Sequence, residues 1–177
     1  MKKLLTAFVI FVYFVPASVF LTFYLILTKD LSDATTFGTF LIPILFMLLV
    51  CVLVVGNIAG AIISMARSKC LSFKAVMGFK LCLIPFYIVN FICWLIGSMV
   101  FHIALVIWPL IPFIIAYTYF TMLGTSVHII VNLLSLRRNK VITTKQFVTH
   151  CILQLVFILD VIDSIYLAIK QKSLKVQ

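Results

Sequence analysis

The chain has 177 residues, of which 65% are hydrophobic and 10% charged, and its mean hydropathy is +1.31. A composition this apolar leaves too little polar surface for a water-soluble fold and excludes a disordered chain or an acidic binder. Fourteen basic residues stand against four acids, all Asp, and the net charge of +10 is gathered in short clusters between apolar runs. That distribution suits anionic headgroups rather than nucleic acid.

Met1-Lys2-Lys3 followed by Leu4-Leu5 resembles the start of a secretory signal. The uncharged run continues to Thr28, too long for a signal's apolar region, and reads as an uncleaved first helix near 4–27. The next run, Ala34 to Ala66, predicts a second span near 40–64. Arg67 to Lys80 reads as a surface helix or turn, with Leu71, Phe73, Val76, Met77 and Phe79 at the interface. Leu81 to Leu136 is long enough for two crossings of about 20 residues each. A turn at Trp108-Pro109-Leu110-Ile111-Pro112 divides it into spans near 81–105 and 113–135. The last block, Phe147 to Ile169, predicts a fifth helix near 147–169 that contains Asp160 and Asp163.

These runs predict one all-α domain over 1–177, a polytopic transmembrane bundle of four spans plus a fifth membrane-embedded or interfacial helix. Lys2 and Lys3, then Arg67, Lys69, Lys74 and Lys80, then Arg137, Arg138, Lys140 and Lys145 fall on one side if four helices alternate. Lys29, Asp30 and Asp33 fall on the other. The positive-inside rule then predicts a cytoplasmic N-terminus in the plasma membrane. A fifth crossing would carry Lys170, Lys172 and Lys175 outside, so the last block either spans with a tolerated basic tail or lies along or dips into the cytoplasmic face.

Asp160 and Asp163 are the leading candidates for chemistry, because a carboxylate at membrane depth costs about 2.5–3.5 kcal/mol and ordinarily faces a partner or water. Three residues apart on a helix, they are placed to share a proton or cation, or to pair with His128, His150 or Lys80. In the alternative, the last helix is shallow and both face water. Gln146, His150, Gln154, Asp160 and Ser164 form one helical stripe. His102, His128 and His150 lie in three different runs, and with Glu absent no metal site, cofactor or H-E-x-x-H motif is expected. The cysteines, Cys51, Cys70, Cys82, Cys93 and Cys151, contain no C-x-x-C pair and predict neither disulfides nor zinc.

Gly56, Gly60 and Ser64 form a small-residue ladder suited to close helix packing, and Asn57, Asn90 and Asn132 are placed to hydrogen-bond between helices. Arg137, Arg138 and Lys140 follow the fourth span as a cluster for anionic lipid headgroups.

The stretch Lys80-Leu81-Cys82-Leu83-Ile84-Pro85-Phe86-Tyr87-Ile88-Val89-Asn90-Phe91 carries a resemblance, as does Gln154-Leu155-Val156-Phe157-Ile158-Leu159-Asp160-Val161-Ile162-Asp163. Over roughly its C-terminal hundred residues the chain resembles an uncharacterised family of small multi-helix membrane proteins of Gram-positive bacteria. The resemblance implies a bacterial plasma membrane and singles out Lys80, Pro85, Asn90, Gln154 and Asp160. It implies no activity. The function expected first is non-enzymatic: binding of membrane partners, another membrane protein or further copies of itself, as a subunit, accessory or immunity-type factor. The second expectation is a small oligomeric proton- or cation-coupled transporter or channel using Asp160 and Asp163.

Overall fold

The computed structural model describes residues 1–28, 33–67, 70–100 and 110–175, and every regular element among them is an α-helix. In chain order these are α1 (Lys2–Thr28), α2 (Asp33–Ala66), α3 (Phe73–Val100), α4 (Leu110–Arg138), α5 (Thr144–Leu153) and α6 (Phe157–Lys175). The protein is an all-α bundle in which α1 to α4 each contain a stretch long and apolar enough to cross a membrane. His102, the loop residues Lys29 and Asp30, Lys69 and the Trp108-Pro109 corner lie outside the described residues.

Helix packing follows a three-four spacing of buried positions, the signature of helices crossing at shallow angles. Leu5, Phe8, Val12 and Val15 of α1 meet Val50 and Val54 of α2 and Leu83 and Phe86 of α3 in one core. Gly56 and Gly60 extend the α2 seam, and their faces are covered by the Leu4 side chain of α1. The small-residue ladder is therefore used inside the chain. Gly124 of α4 is tighter still: a Cβ there would stand 3.2 Å from Phe8 and 3.3 Å from Val54. Apolar side chains such as Phe37, Val52 and Phe91 face outward, as a lipid-facing surface requires.

Proline interrupts α1, α2 and α3 at Pro16, Pro43 and Pro85. Pro43 has no N–H for the Thr39 carbonyl, and the Thr22 hydroxyl of α1 donates to that oxygen at 3.0 Å. Near Pro85, the Tyr13 hydroxyl of α1 donates to the Cys82 carbonyl. Polar side chains of one helix thus satisfy carbonyls beside the proline of its neighbour.

Two boundaries differ from the sequence reading. The Phe73–Lys80 segment is helical, but instead of a separate surface helix or turn it forms the first two turns of α3. The Ser72 hydroxyl caps it by accepting from the Ala75 N–H at 3.3 Å, and Phe73, Val76, Lys80 and Leu83 continue one buried stripe. The predicted single helix over 147–169 is broken at Gln154, Leu155 and Val156. There the amides of Leu155 and Val156 bond three residues back, at 3.0 and 3.3 Å, which tightens the chain and reverses it.

Consequently α5 and α6 form a helical hairpin. A reciprocal cap starts α5: the Thr143 hydroxyl accepts from the Gln146 N–H, and the Gln146 side chain accepts from the Thr143 N–H. Then α6 runs antiparallel to α3, with Asp160 against Lys80, Leu167 and Ala168 clustered with Phe73 and Val76, and the Gln171 side chain accepting from the Lys74 N–H. The tip of the hairpin therefore lies about 10 Å along α3 from its start, and the end of α6 returns to that start. The start of α1, packed on Gly56 and Gly60 near the end of α2, lies at this same end of the bundle.

Candidate functional site

The hairpin tip closes over a charged cluster. Lys80 comes from α3, Ser126 from α4, Gln154 from the turn, and Asp160, Asp163 and Ser164 from α6; all six residues are buried. Their helical positions explain the convergence. Lys80 continues the Phe73 and Val76 stripe, and Asp160, Asp163, Ser164 and Leu167 share one face of α6.

The Lys80 ammonium donates to the Asp160 carboxylate, to Gln154 Oε1 at 2.6 Å and to the Ser126 hydroxyl at 3.1 Å. Those are its three available donations. Asp160 Oδ1 also accepts from the Ser126 hydroxyl at 2.8 Å. Gln154 is the bridge: its Nε2 donates to Asp163 Oδ2 at 2.7 Å while its Oε1 receives Lys80. The other oxygen of Asp163 meets His150 Nδ1 at 2.5 Å. His150 stacks on Tyr166 and is the one member of the chain with appreciable exposure, 18% of its side chain.

A burial this deep penalises uncompensated charge by several kcal/mol per ion, so the arrangement of partners decides what the site can hold. With both carboxylates ionised and His150 neutral, one cation faces two anions, so the cluster carries one net negative charge. It is chemically matched to one further positive charge.

The structure places the other sequence candidates as follows. His128 is 2% exposed and its Nε2 has no hydrogen-bond partner among the described residues, so it does not join the aspartates. The Asn90 amide donates to the Thr118 hydroxyl at 3.0 Å and the Asn132 amide to the Leu71 carbonyl at 2.5 Å, so both tie separate segments together. Asn57 instead donates to the Leu53 carbonyl of its own helix at 2.9 Å. Arg137 lies over the Phe147 ring of α5 at 5.2 Å, and Arg137, Arg138 and Lys140 are exposed at the end of α4. Sequence reasoning did not single out Ser126; its spacing from Met122 and Thr118 along one face of α4 was the available signal.

The chain belongs to DUF6652, a family of unknown function, whose model matches residues 3–173. No curated protein and no solved structure matches it.

Proposed function

We propose that this family member is a small, non-enzymatic, multi-pass protein of a bacterial plasma membrane that moves protons through the Lys80, Asp160, Asp163 and His150 network, working as an assembly of several copies. The observation that carries the reading is the buried charge cluster at the tip of the α5–α6 hairpin. Ionisable residues at membrane depth are costly and mark ion or proton pathways. The broken backbone at Gln154 to Val156 fits the same reading, because non-helical backbone at that depth is tolerated where protein or a water-lined cavity shelters it.

In this reading the N-terminus is cytoplasmic and the hairpin is re-entrant, entering from and returning to the cytoplasmic face. The basic residues that flank the spans support that orientation. A proton taken up at the partly exposed His150 passes to Asp163 across their direct contact. Gln154, held by Asp163 and Lys80 together, couples that event to the ion pair. Protonation of Asp160 removes the charge that holds Lys80 and loosens α6 from α3.

The test is acidification of proteoliposomes containing the purified protein under a pH gradient, followed with an internal pH-sensitive dye. The expected result is proton flux in the wild type and none in the variant carrying Asp160→Asn with Asp163→Asn. Equal flux in both would overturn the assignment.

A second reading draws on the saturation of Lys80, whose three donations are all used. A fully satisfied network rigidifies a core, so the cluster would serve as a clamp on α6 while the protein acts by binding membrane partners or anionic lipid. Under it, the Asp160→Asn and Asp163→Asn pair changes assembly size in native gels and leaves proton flux at the empty-liposome level throughout.

A further inference from the structure

Beyond the cluster, the interface of α3 and α4 carries a row of polar groups. Among the four candidate spans, α4 is both the most buried and the least apolar. On α4, Thr118, Thr121 and Thr125 recur at spacings of three and four, and Thr121 and Thr125 are 0% and 1% exposed. Facing them on α3, the buried Tyr87 hydroxyl lies beside Thr121, and the Asn90 amide donates to the Thr118 hydroxyl at 3.0 Å. Tyr117 adds a buried hydroxyl next to Tyr87 that has no hydrogen-bond partner among the described residues. A buried hydroxyl left so is costly, and a proton-carrying water would offset that cost.

We infer that these groups extend the charged cluster into a proton-conducting file between α3 and α4, running from Lys80 and Ser126 past Tyr87 and Thr121 to Asn90 and Thr118. The inference rests on the proton-transport reading of the cluster. From Lys80 to Asn90 the file covers about 15 Å along α3, half the thickness of the hydrocarbon core. Along α4 the rise from Ser126 to Thr121 is about 7.5 Å, and Thr125 lies between them, so water-bridged transfers can cover it.

The chemistry suits a proton and no larger ion. Each Ser, Thr or Tyr hydroxyl accepts one proton on oxygen and releases another, so charge passes along while each group is restored. The Asn90 amide, by donating to the Thr118 oxygen, fixes how that hydroxyl is presented. Sodium or potassium would need an oxygen cage, and at the cluster three of the four carboxylate oxygens, Asp160 Oδ1 and both of Asp163, are engaged by Lys80, Ser126, Gln154 and His150.

The test uses the full chain in proteoliposomes with the same dye and no sodium or potassium gradient. Tyr87→Phe and Thr118→Val should each lower proton flux at least tenfold, while Thr118→Ser, which keeps the hydroxyl, should retain most of it. Loss of function through misfolding is separated by Thr118→Cys, whose labelling by a small water-soluble thiol reagent in intact vesicles should exceed that of the wild-type chain, which carries Cys51, Cys70, Cys82, Cys93 and Cys151, while the variant elutes in detergent as the wild type does. Wild-type flux that is abolished by Asp160→Asn but unchanged in Tyr87→Phe and Thr118→Val would overturn the file and leave the cluster's role standing. Absence of wild-type flux, or flux that appears only under a sodium or potassium gradient, would overturn both. A Thr118→Cys thiol inert to the reagent would overturn the file.

Discussion

The Lys80 ammonium and the Asp160 carboxylate, 80 residues apart in the chain, meet where their residues are 2% and 3% exposed. Their pairing joins the re-entering hairpin to the span it packs against. It fixes the register of α6 on α3, because a shift by one residue would rotate Asp160 away from Lys80 by about 100°.

Removing one partner of this pair should therefore be far worse than removing both. Lys80→Met leaves a buried carboxylate without its cation and should cost about 3–5 kcal/mol, whereas Lys80→Met combined with Asp160→Leu should recover most of that loss. A double-mutant cycle read by thermal unfolding in detergent measures the coupling. Additive single and double effects would show that the pair does not hold the hairpin.

The antiparallel register of α6 on α3 returns the end of α6 to the side on which α3 begins and α1 starts. Reporters fused before Met1 and after Gln177 should thus be active on the same side of the membrane, the cytoplasmic one. Opposite sides would mean that the last helix crosses.

Two glycines should respond in opposite ways. At Gly56 an added Cβ meets Leu4 at 3.6 Å, an ordinary contact, so Gly56→Ala should be neutral or gain up to about 1 kcal/mol from helix propensity. At Gly124 the 3.2 Å approach to Phe8 leaves no such room, and Gly124→Leu should cost about 1–3 kcal/mol by overpacking. Melting temperatures of the two variants in one detergent check both.

Lys140 ends α4 with φ of 57°, the left-handed conformation that glycine favours. Around it the Val141 N–H bonds to the Leu136 carbonyl at 2.9 Å and the Lys140 N–H to Arg137 at 3.0 Å, the paired bonds of a Schellman cap. Lys140→Gly should raise stability by about 1 kcal/mol, and Lys140→Val should lower it by at least as much. Thermal unfolding of the two variants against the wild type decides.

The candidate site was partly legible beforehand. Two aspartates three residues apart in an apolar block, and a lysine at the edge of another, announce themselves because each breaks a rule of composition. Lys80, His150, Gln154 and Asp160 were all visible as residues. Which carboxylate takes which partner was not, since the pairing depends on how α3, α5 and α6 are rotated about their axes. His128 looked as suitable as His150 in sequence, yet it faces another part of the bundle. The turn at Gln154 to Val156 left no sign either: it contains neither proline nor glycine, and it accompanies the inward placement of the Gln154 side chain, an interaction with residues distant in the chain.

By itself the sequence determined the helical class, the four crossing-length runs and the clustering of basic residues between those runs. These follow from hydropathy and charge summed along short windows, which need no knowledge of what lies opposite. Only the tertiary structure decided that the last block folds back as a hairpin, that Gly56 and Gly60 are covered by α1, and that Lys80 holds Asp160. Those outcomes depend on close packing and on the requirement that every buried charge find a partner, and both are settled between segments far apart in the chain.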